Sequence, residues 1–135
     1  MTKVTQLLQV PARKVGAALP GVLAVGPAVL ELGMERTANG GSFSRSFIAK
    51  WTKGNSEGQA HIEIRPASKV LTDVSIAIAR PKGARGLLWT APARRRLADL
   101  FAQALVYEIE TRHIEEGDAL AVRRTSRELV KARSA

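Results

Sequence analysis

Apolar and polar positions alternate most clearly in the middle of the chain, where they predict antiparallel strands. Apolar residues, with Thr72 among them, recur at every second position in residues 60–64 and 70–78, which is the period of a strand with one buried face. A turn at residues 66–69 separates the two runs, and the Pro/Gly segment 80–83 ends the second. Residues 42–53 alternate in the same way. We therefore predict a β-meander of at least three antiparallel strands.

A helical period replaces the alternation after residue 90. From Pro92 to about His113, apolar residues recur at spacings of three and four, and a proline is favoured in the first turn of a helix. A sheet and a helix that each carry one apolar face bury those faces against each other. The pattern thus predicts an α+β fold in which the antiparallel meander packs on a long C-terminal helix. The predicted apolar stripe is Leu97, Leu100, Phe101, Ala104, Leu105 and Ile109.

The first third of the chain gives weaker signals. Residues 3–10 predict a strand, and residues 12–19 predict a short helix. Pro27 interrupts the apolar stretch that follows, which favours a short helical turn and then a strand near residues 29–35. Asn39-Gly40 is a typical hairpin turn and leads into the next strand.

Length and composition indicate one ordinary globular domain. The chain has 135 residues, and we predict a single α+β domain over residues 1–116 with a basic C-terminal helix or partly disordered tail over residues 117–135. There is no cysteine, which excludes disulfides, thiolate metal sites and cysteine nucleophiles. The N-terminus does not resemble a signal peptide, and prolines interrupt the apolar stretch 15–32, so we expect no membrane helix and a cytoplasmic protein.

The order of these elements resembles the helix-grip fold of the START/polyketide-cyclase superfamily (SRPBCC). Residues 4–19 are similar to that family's first strand, its xPAxxV turn and its first helix, while residues 60–78 are similar to its last two strands. Pro81-Lys82-Gly83 and the helix from Pro92 resemble its closing turn and gripping helix. The resemblance implies a cavity between the sheet and the C-terminal helix that holds an apolar small molecule or a lipid. Some members are cyclases or hydrolases, and many only bind.

Our first interpretation is accordingly a protein that binds an apolar or amphipathic small molecule or a lipid. Arg45, between Phe43 and Phe47 on one strand face, could anchor a carboxylate or phosphate. The alternative is that Arg45 reaches the rim or pairs with Glu63 or Asp73. Glu108 would also face this cavity if it points inward. The predicted apolar walls are Phe47, Trp51, Trp89, Phe101 and Leu105.

The net charge supports an alternative interpretation, in which the protein belongs to another functional class. The formal net charge is +9, which suggests an anionic partner such as nucleic acid or an acidic protein. The alternative function is a small basic nucleic-acid-associated or assembly protein, for which a homo-oligomer is one form. A solvated basic surface is the simpler explanation. The predicted anion-binding cluster is Lys82, Arg85, Arg94, Arg95 and Arg96.

The sequence contains no catalytic motif that stands alone. His61 and His113 are the only imidazoles, and no His or carboxylate pair has a metal-binding spacing within one element. A third interpretation is an enzyme on the same fold with Glu108 or His61 as acid or base. We predict neither a metal nor another cofactor, and the identity of the ligand stays open.

Overall fold

The computed structural model describes residues 2–36 and 44–114. Within them, six strands form one antiparallel sheet in the order β1-β6-β5-β4-β3-β2. The predicted α+β class, a meander packed on a long C-terminal helix, is confirmed. The elements are β1 Thr2–Leu8, α1 Ala12–Ala18, β2 Val22–Val25, β3 Ala28–Arg36, β4 Arg45–Lys53, β5 Ser56–Pro66, β6 Thr72–Ile78, a 3₁₀ helix Ala84–Leu88 and α2 Ala91–Arg112.

The sheet curls around α2. This helix packs on β1 and β6 and also contacts β2, although β1 and β2 lie at opposite ends of the strand order. One straight helix reaches both ends of a six-stranded sheet only when the sheet is strongly curved, as the twist of strands allows. The inward faces of the strands and one face of α2 therefore form one hydrophobic core.

The face of α2 that is buried differs from the predicted stripe. Leu100 is 39% exposed, and Ala104 is only partly buried. Ala98 and Ala102 are buried instead, at 0% and 1% exposure. The prediction placed the largest side chains inward, whereas a sheet that closes around a helix leaves room for small side chains where backbones approach. The buried face is Leu97, Ala98, Phe101, Ala102, Leu105 and Ile109.

The predicted helical turn before Pro27 is wrong, because this region is a β-hairpin. β2 and β3 pair antiparallel, and Val25 lies opposite Ala28 across a two-residue turn. Gly26 has φ +58° in that turn, a left-handed conformation that glycine adopts without steric cost. The predicted strand near residues 29–35 is confirmed within β3.

The predicted alternation in β4 and β5 is confirmed. Phe47 lies opposite Ile62 and Ala49 opposite Ala60, and all four side chains are buried. Phe43, the Asn39-Gly40 turn and the predicted tail of residues 117–135 lie outside the described residues. No helix in the described ranges is long and apolar enough to cross a membrane.

Candidate functional site

Four of the five predicted apolar wall residues lie in the hydrophobic core. Trp51 and Phe101 are fully buried, and Phe47 and Leu105 are 6% and 2% exposed. The indole Nε1 of Trp51 donates a hydrogen bond to the carbonyl of Ala79 at 3.2 Å, so its one polar atom is satisfied. These four side chains belong to the core, and a direct role for them in ligand contact stays a prediction.

Trp89, the fifth predicted wall residue, is half-buried and packs against this core. Its ring meets the buried Trp51 ring edge-on, with centroids 4.7 Å apart and an interplanar angle of 61°. Edge-to-face contact is a favourable arrangement for two aromatic rings, so the buried indole orients the accessible one. Trp89 thereby presents an aromatic surface that solvent can reach.

A groove of about 530 Å³ opens beside Trp89, between the 3₁₀ helix, the end of β4 and the first half of α2. Ala93, Leu97 and Leu100 lie on one face of α2, because they are spaced at i, i+4 and i+7. The full lining, which we call the Trp89 groove, is Lys53, Leu88, Trp89, Ala93, Arg96, Leu97 and Leu100.

Local backbone geometry holds Trp89 and the start of α2 in place. Gly83 turns the chain into the 3₁₀ helix at φ +82°, and the amide of Trp89 donates to the carbonyl of Gly86 at 3.2 Å. Thr90 then caps α2, since its hydroxyl accepts a hydrogen bond from the amide of Ala93 at 3.4 Å. Trp89 therefore lies at a tight junction between two helical segments.

The groove combines an apolar floor with two cations. Leu88 is 79% exposed, and Leu100 adds a second accessible aliphatic side chain. Lys53 places its Nζ 5.8 Å from the centroid of the Trp89 ring, and Arg96 lines the same groove. Neither cation has a carboxylate partner among the described residues. This arrangement suits a ligand with an apolar body and an anionic group.

Arg45 has a protein partner, and that partner is Glu35 rather than the predicted Glu63 or Asp73. Its Nε and one terminal nitrogen donate to the two carboxylate oxygens of Glu35 at 2.7 and 2.8 Å. These hydrogen bonds hold the pKa of the Glu35 carboxyl below its ordinary value and raise the pKa of the Arg45 guanidinium. Arg45 also lies 5.2 Å from the Phe47 ring centroid. Its role as a ligand anchor stays a prediction.

A β-bulge brings Glu35 to Arg45. Glu31 lies opposite Lys50 on the outward face, and strict alternation would keep Glu35 on that face too. The register shifts between Leu32 and Glu35, so Glu35 lies opposite the buried Phe47 on the inward face. The sequence pattern did not reveal this shift, and the ion pair was missed for that reason.

Glu108 lies on the half-exposed side of α2. Its carboxylate is 3.7 Å from the guanidinium of Arg112 one turn later, and the two side chains are 43% and 40% exposed. Such an i, i+4 pair is an ordinary helix-surface contact. A role for Glu108 in ligand binding or acid–base chemistry stays a prediction.

The predicted basic cluster is divided among different surroundings. The guanidinium of Arg85 donates to the carbonyl of Asn55 in the β4–β5 turn, while Lys82 lines a separate groove beside β3, β4 and β5. Arg94 has a buried Nε, and Arg95 and Arg96 lie where α2 approaches β1. Arg96 is the member that borders the Trp89 groove.

No group of three or more His, Asp and Glu side chains within residues 2–36 and 44–114 could hold a metal ion. His61 is half-buried on β5 and pairs across the strands with Ile48 and Ala77, away from the Trp89 groove. His113, at the end of α2, has a buried Nδ1 that finds no hydrogen-bond partner within residues 2–36 and 44–114. A catalytic role for either imidazole stays a prediction.

Sequence reasoning missed Lys53, Leu88 and Leu100 as site residues. One signal could have found Leu88, because Leu87-Leu88-Trp89 is an apolar run outside any predicted strand or helix. Apolar side chains in a connecting segment that stay accessible often mark a binding surface. Lys53 ends a strand and lies near Trp89 only in the folded chain.

Comparisons with known proteins give only a distant likeness. No family model matches the chain, and the search of curated proteins finds no match. Among solved structures, the Zhui aromatase/cyclase of a Streptomyces species is 12% identical at TM-score 0.40, covering 82% of this chain and 93% of that one. At such values the likeness carries no information about activity or ligand.

Two further structures are similar at the same level. A conserved protein from Geobacillus kaustophilus is 13% identical at TM-score 0.36, with 82% of this chain and 95% of that chain covered. A protein from Thermus thermophilus is 10% identical at TM-score 0.37, with 86% and 98% covered.

Proposed function

We propose that the protein binds a small amphipathic anion in the Trp89 groove, with the apolar body of the ligand against Trp89 and its acid group between Lys53 and Arg96. The observation that carries the proposal is the cation–aromatic wall of this groove. Lys53 lies over the accessible Trp89 ring, which in turn stands on the buried Trp51. The proposal concerns binding and includes no chemical step.

The size and lining of the groove support this class of ligand. Its volume of about 530 Å³ lies within the range of roughly 300–1,000 Å³ that small-molecule sites occupy. Apolar walls alone would accept any hydrocarbon chain of suitable length. The two cations, which lack carboxylate partners among the described residues, add a preference for a carboxylate or phosphate end.

The contact of Trp89 with the buried Trp51 also favours binding. A ligand that stacks on a mobile side chain must pay for ordering it, whereas Trp89 is already oriented by its contact with Trp51. The exposed Leu88 gains from being covered, since apolar burial contributes roughly 25 cal/mol per Å².

The test is a titration of the full chain with a decyl carboxylate, followed by tryptophan fluorescence and thermal unfolding. We expect a change in the emission of Trp89 and a rise in melting temperature, because a ligand that binds only the native state stabilises it. Decanol and decylammonium, which share the alkyl chain, serve as matched ligands. The expected order of affinity is carboxylate, then alcohol, then ammonium.

Two variants separate the parts of the site. Trp89→Ala should abolish binding of all ligands. Lys53→Gln should weaken binding of the carboxylate by about two- to fivefold and leave binding of the alcohol unchanged. Lys69→Gln removes an exposed cation in the β5–β6 turn and is the charge-matched control. Equal affinity for carboxylate and ammonium, or binding that survives Trp89→Ala, would contradict the proposal.

A further inference from the structure

The outer edge of β1 is a second surface with recognisable chemistry. β1 pairs with β6 on one side and stands at the end of the strand order, so no strand of the described residues pairs with its other side. An edge of seven residues offers backbone amides and carbonyls on which another extended chain can pair. The opposite edge of the sheet is β2, which has four residues.

A groove runs between this edge and α2. Its lining includes three consecutive residues of β1 and four residues of α2 spaced at i, i+3, i+4 and i+7, which form one helix face. Consecutive strand residues point to opposite faces, so a groove that all three line follows the strand edge itself. We call it the strand-edge groove, about 610 Å³ in volume and lined by Lys3, Val4, Thr5, Pro92, Arg95, Arg96 and Asp99.

The strand-edge groove is cationic. Lys3, Arg95 and Arg96 face a single carboxylate, Asp99, which accepts a hydrogen bond from Gln103 at 2.9 Å. None of the three cations is within ion-pair distance of a carboxylate among the described residues. As far as the described part of the chain goes, the groove therefore combines unpaired backbone groups with uncompensated positive charge.

We infer that β1 receives an acidic extended peptide of a partner protein, which adds as a seventh strand beside β1. The backbone of the peptide pairs with β1, and its side chains alternate between the two faces of the sheet. Since α2 covers the inward face, every second peptide side chain meets Arg95 and Arg96. The recognised peptide thus carries Glu or Asp at alternate positions.

The same observations disfavour two other occupants of the groove, a second copy of this chain and a nucleic acid. A second copy of the chain that paired β1 with β1 would bring Lys3, Arg95 and Arg96 of both copies together, and like charges at close range repel. A nucleic acid has no backbone that continues a β-ladder. The lining of the strand-edge groove also contains no aromatic side chain on which a base could stack.

The test uses the full chain and a labelled peptide of about eight residues, a typical strand length, in which Glu and Thr alternate. The comparison peptide has the same composition with the Glu residues in one block. We expect fluorescence anisotropy to give tighter binding for the alternating peptide and weaker binding as salt rises. Backbone NMR of the protein should show the perturbed amides in residues 2–8.

Backbone pairing is tested with two N-methylated peptides, each methylated at alternate amides. Successive amides of a strand point to opposite edges, so one version blocks pairing with β1 and the other does not. Only one of the two should lose binding. Loss in both, or in neither, would overturn the inference, as would equal binding of the block peptide.

Charge variants locate the site. Arg95→Glu should weaken binding of the peptide by about tenfold, while Lys69→Glu in the exposed β5–β6 turn should leave that binding unchanged. A single-stranded oligonucleotide that binds more tightly than the peptide and is lost in Arg95→Glu would overturn the inference in favour of nucleic acid. A dimer of the free protein with slowly exchanging β1 amides would overturn it in favour of a second copy.

Discussion

The indole of Trp51 lies directly against the backbone of Gly58, its cross-strand partner in β5. A Cβ at position 58 would be 2.7 Å from the indole Nε1 and 2.9 Å from Cε2. The missing side chain lets the ring come close to the backbone of β5, where its Nε1 donates to the carbonyl of Ala79. Trp89 contacts the same indole ring edge-on.

Gly58→Ala should therefore destabilise the protein. The indole is rigid and fully buried, so it must shift from its place, and overpacking of this kind costs about 1–3 kcal/mol. We expect a lower denaturant midpoint and altered tryptophan emission. Gly21→Ala is the control, because a Cβ there would meet nothing within 4 Å, and its stability should stay close to that of the parent.

The hydroxyl of Thr72 ties the start of β6 to the segment between β1 and α1. It is fully buried and donates to the carbonyl of Val10 at 2.6 Å. Thr72→Val keeps the shape but leaves that carbonyl without its partner, which should cost about 1–3 kcal/mol of unfolding free energy. Thr72→Ser keeps the hydrogen bond and loses one methyl group, at about 0.8 kcal/mol.

Denaturant unfolding of both Thr72 variants checks this order. A valine variant as stable as the parent, or less affected than the serine variant, would show that the hydrogen bond contributes little.

Leu97 and Leu100 lie three residues apart on α2 and should respond differently to truncation. Leu97 is 3% exposed, so Leu97→Ala should cost about 2–5 kcal/mol through lost burial and a residual cavity. Leu100 is 39% exposed, and Leu100→Ala should cost about 1 kcal/mol or less. Paired unfolding curves measure the difference. Equal losses would mean that the helix face is rotated toward the stripe predicted from sequence.

The Arg45–Glu35 pair predicts a pH dependence of stability. The pKa of Glu35 is lowered in the folded state by its hydrogen bonds to Arg45. At pH values between that lowered pKa and 4.5, the folded state therefore binds fewer protons than the unfolded state. The stabilisation is present above the ordinary value of 4.5 and is lost as pH falls through the lowered pKa. Glu35→Gln should thus be less stable than the parent at neutral pH, with the difference shrinking on acidification.

Unfolding free energies of the parent and Glu35→Gln across this range measure the effect. Glu57→Gln, which breaks a more exposed pair with Lys50, is the matched control and should show a smaller difference at neutral pH. A pH-independent difference for Glu35→Gln would contradict the assignment.

The sequence by itself determined the local elements and their order. A period of two in residues 60–64 and 70–78 and a helical period after Pro92 follow from the burial of one face, and neither depends on which partner covers that face. The meander, α1, α2 and the α+β class could be predicted for this reason. Trp89 and Arg96 were also named as candidates, although for two different sites.

Tertiary structure decided what those faces meet. The sheet curls far enough for α2 to contact both of its ends, and this curvature selects Ala98 and Ala102 for burial and leaves Leu100 at the surface. The bulge in β3, which carries Glu35 to Arg45, adds one residue that no alternating pattern encodes.

The Trp89 groove has the same origin, because Lys53, Trp89 and Arg96 come from a strand end, a connecting segment and a helix. Periodicity describes neighbours along one element, whereas a site is made where separate elements meet. Only the packing of the curled sheet on α2 brings those side chains together.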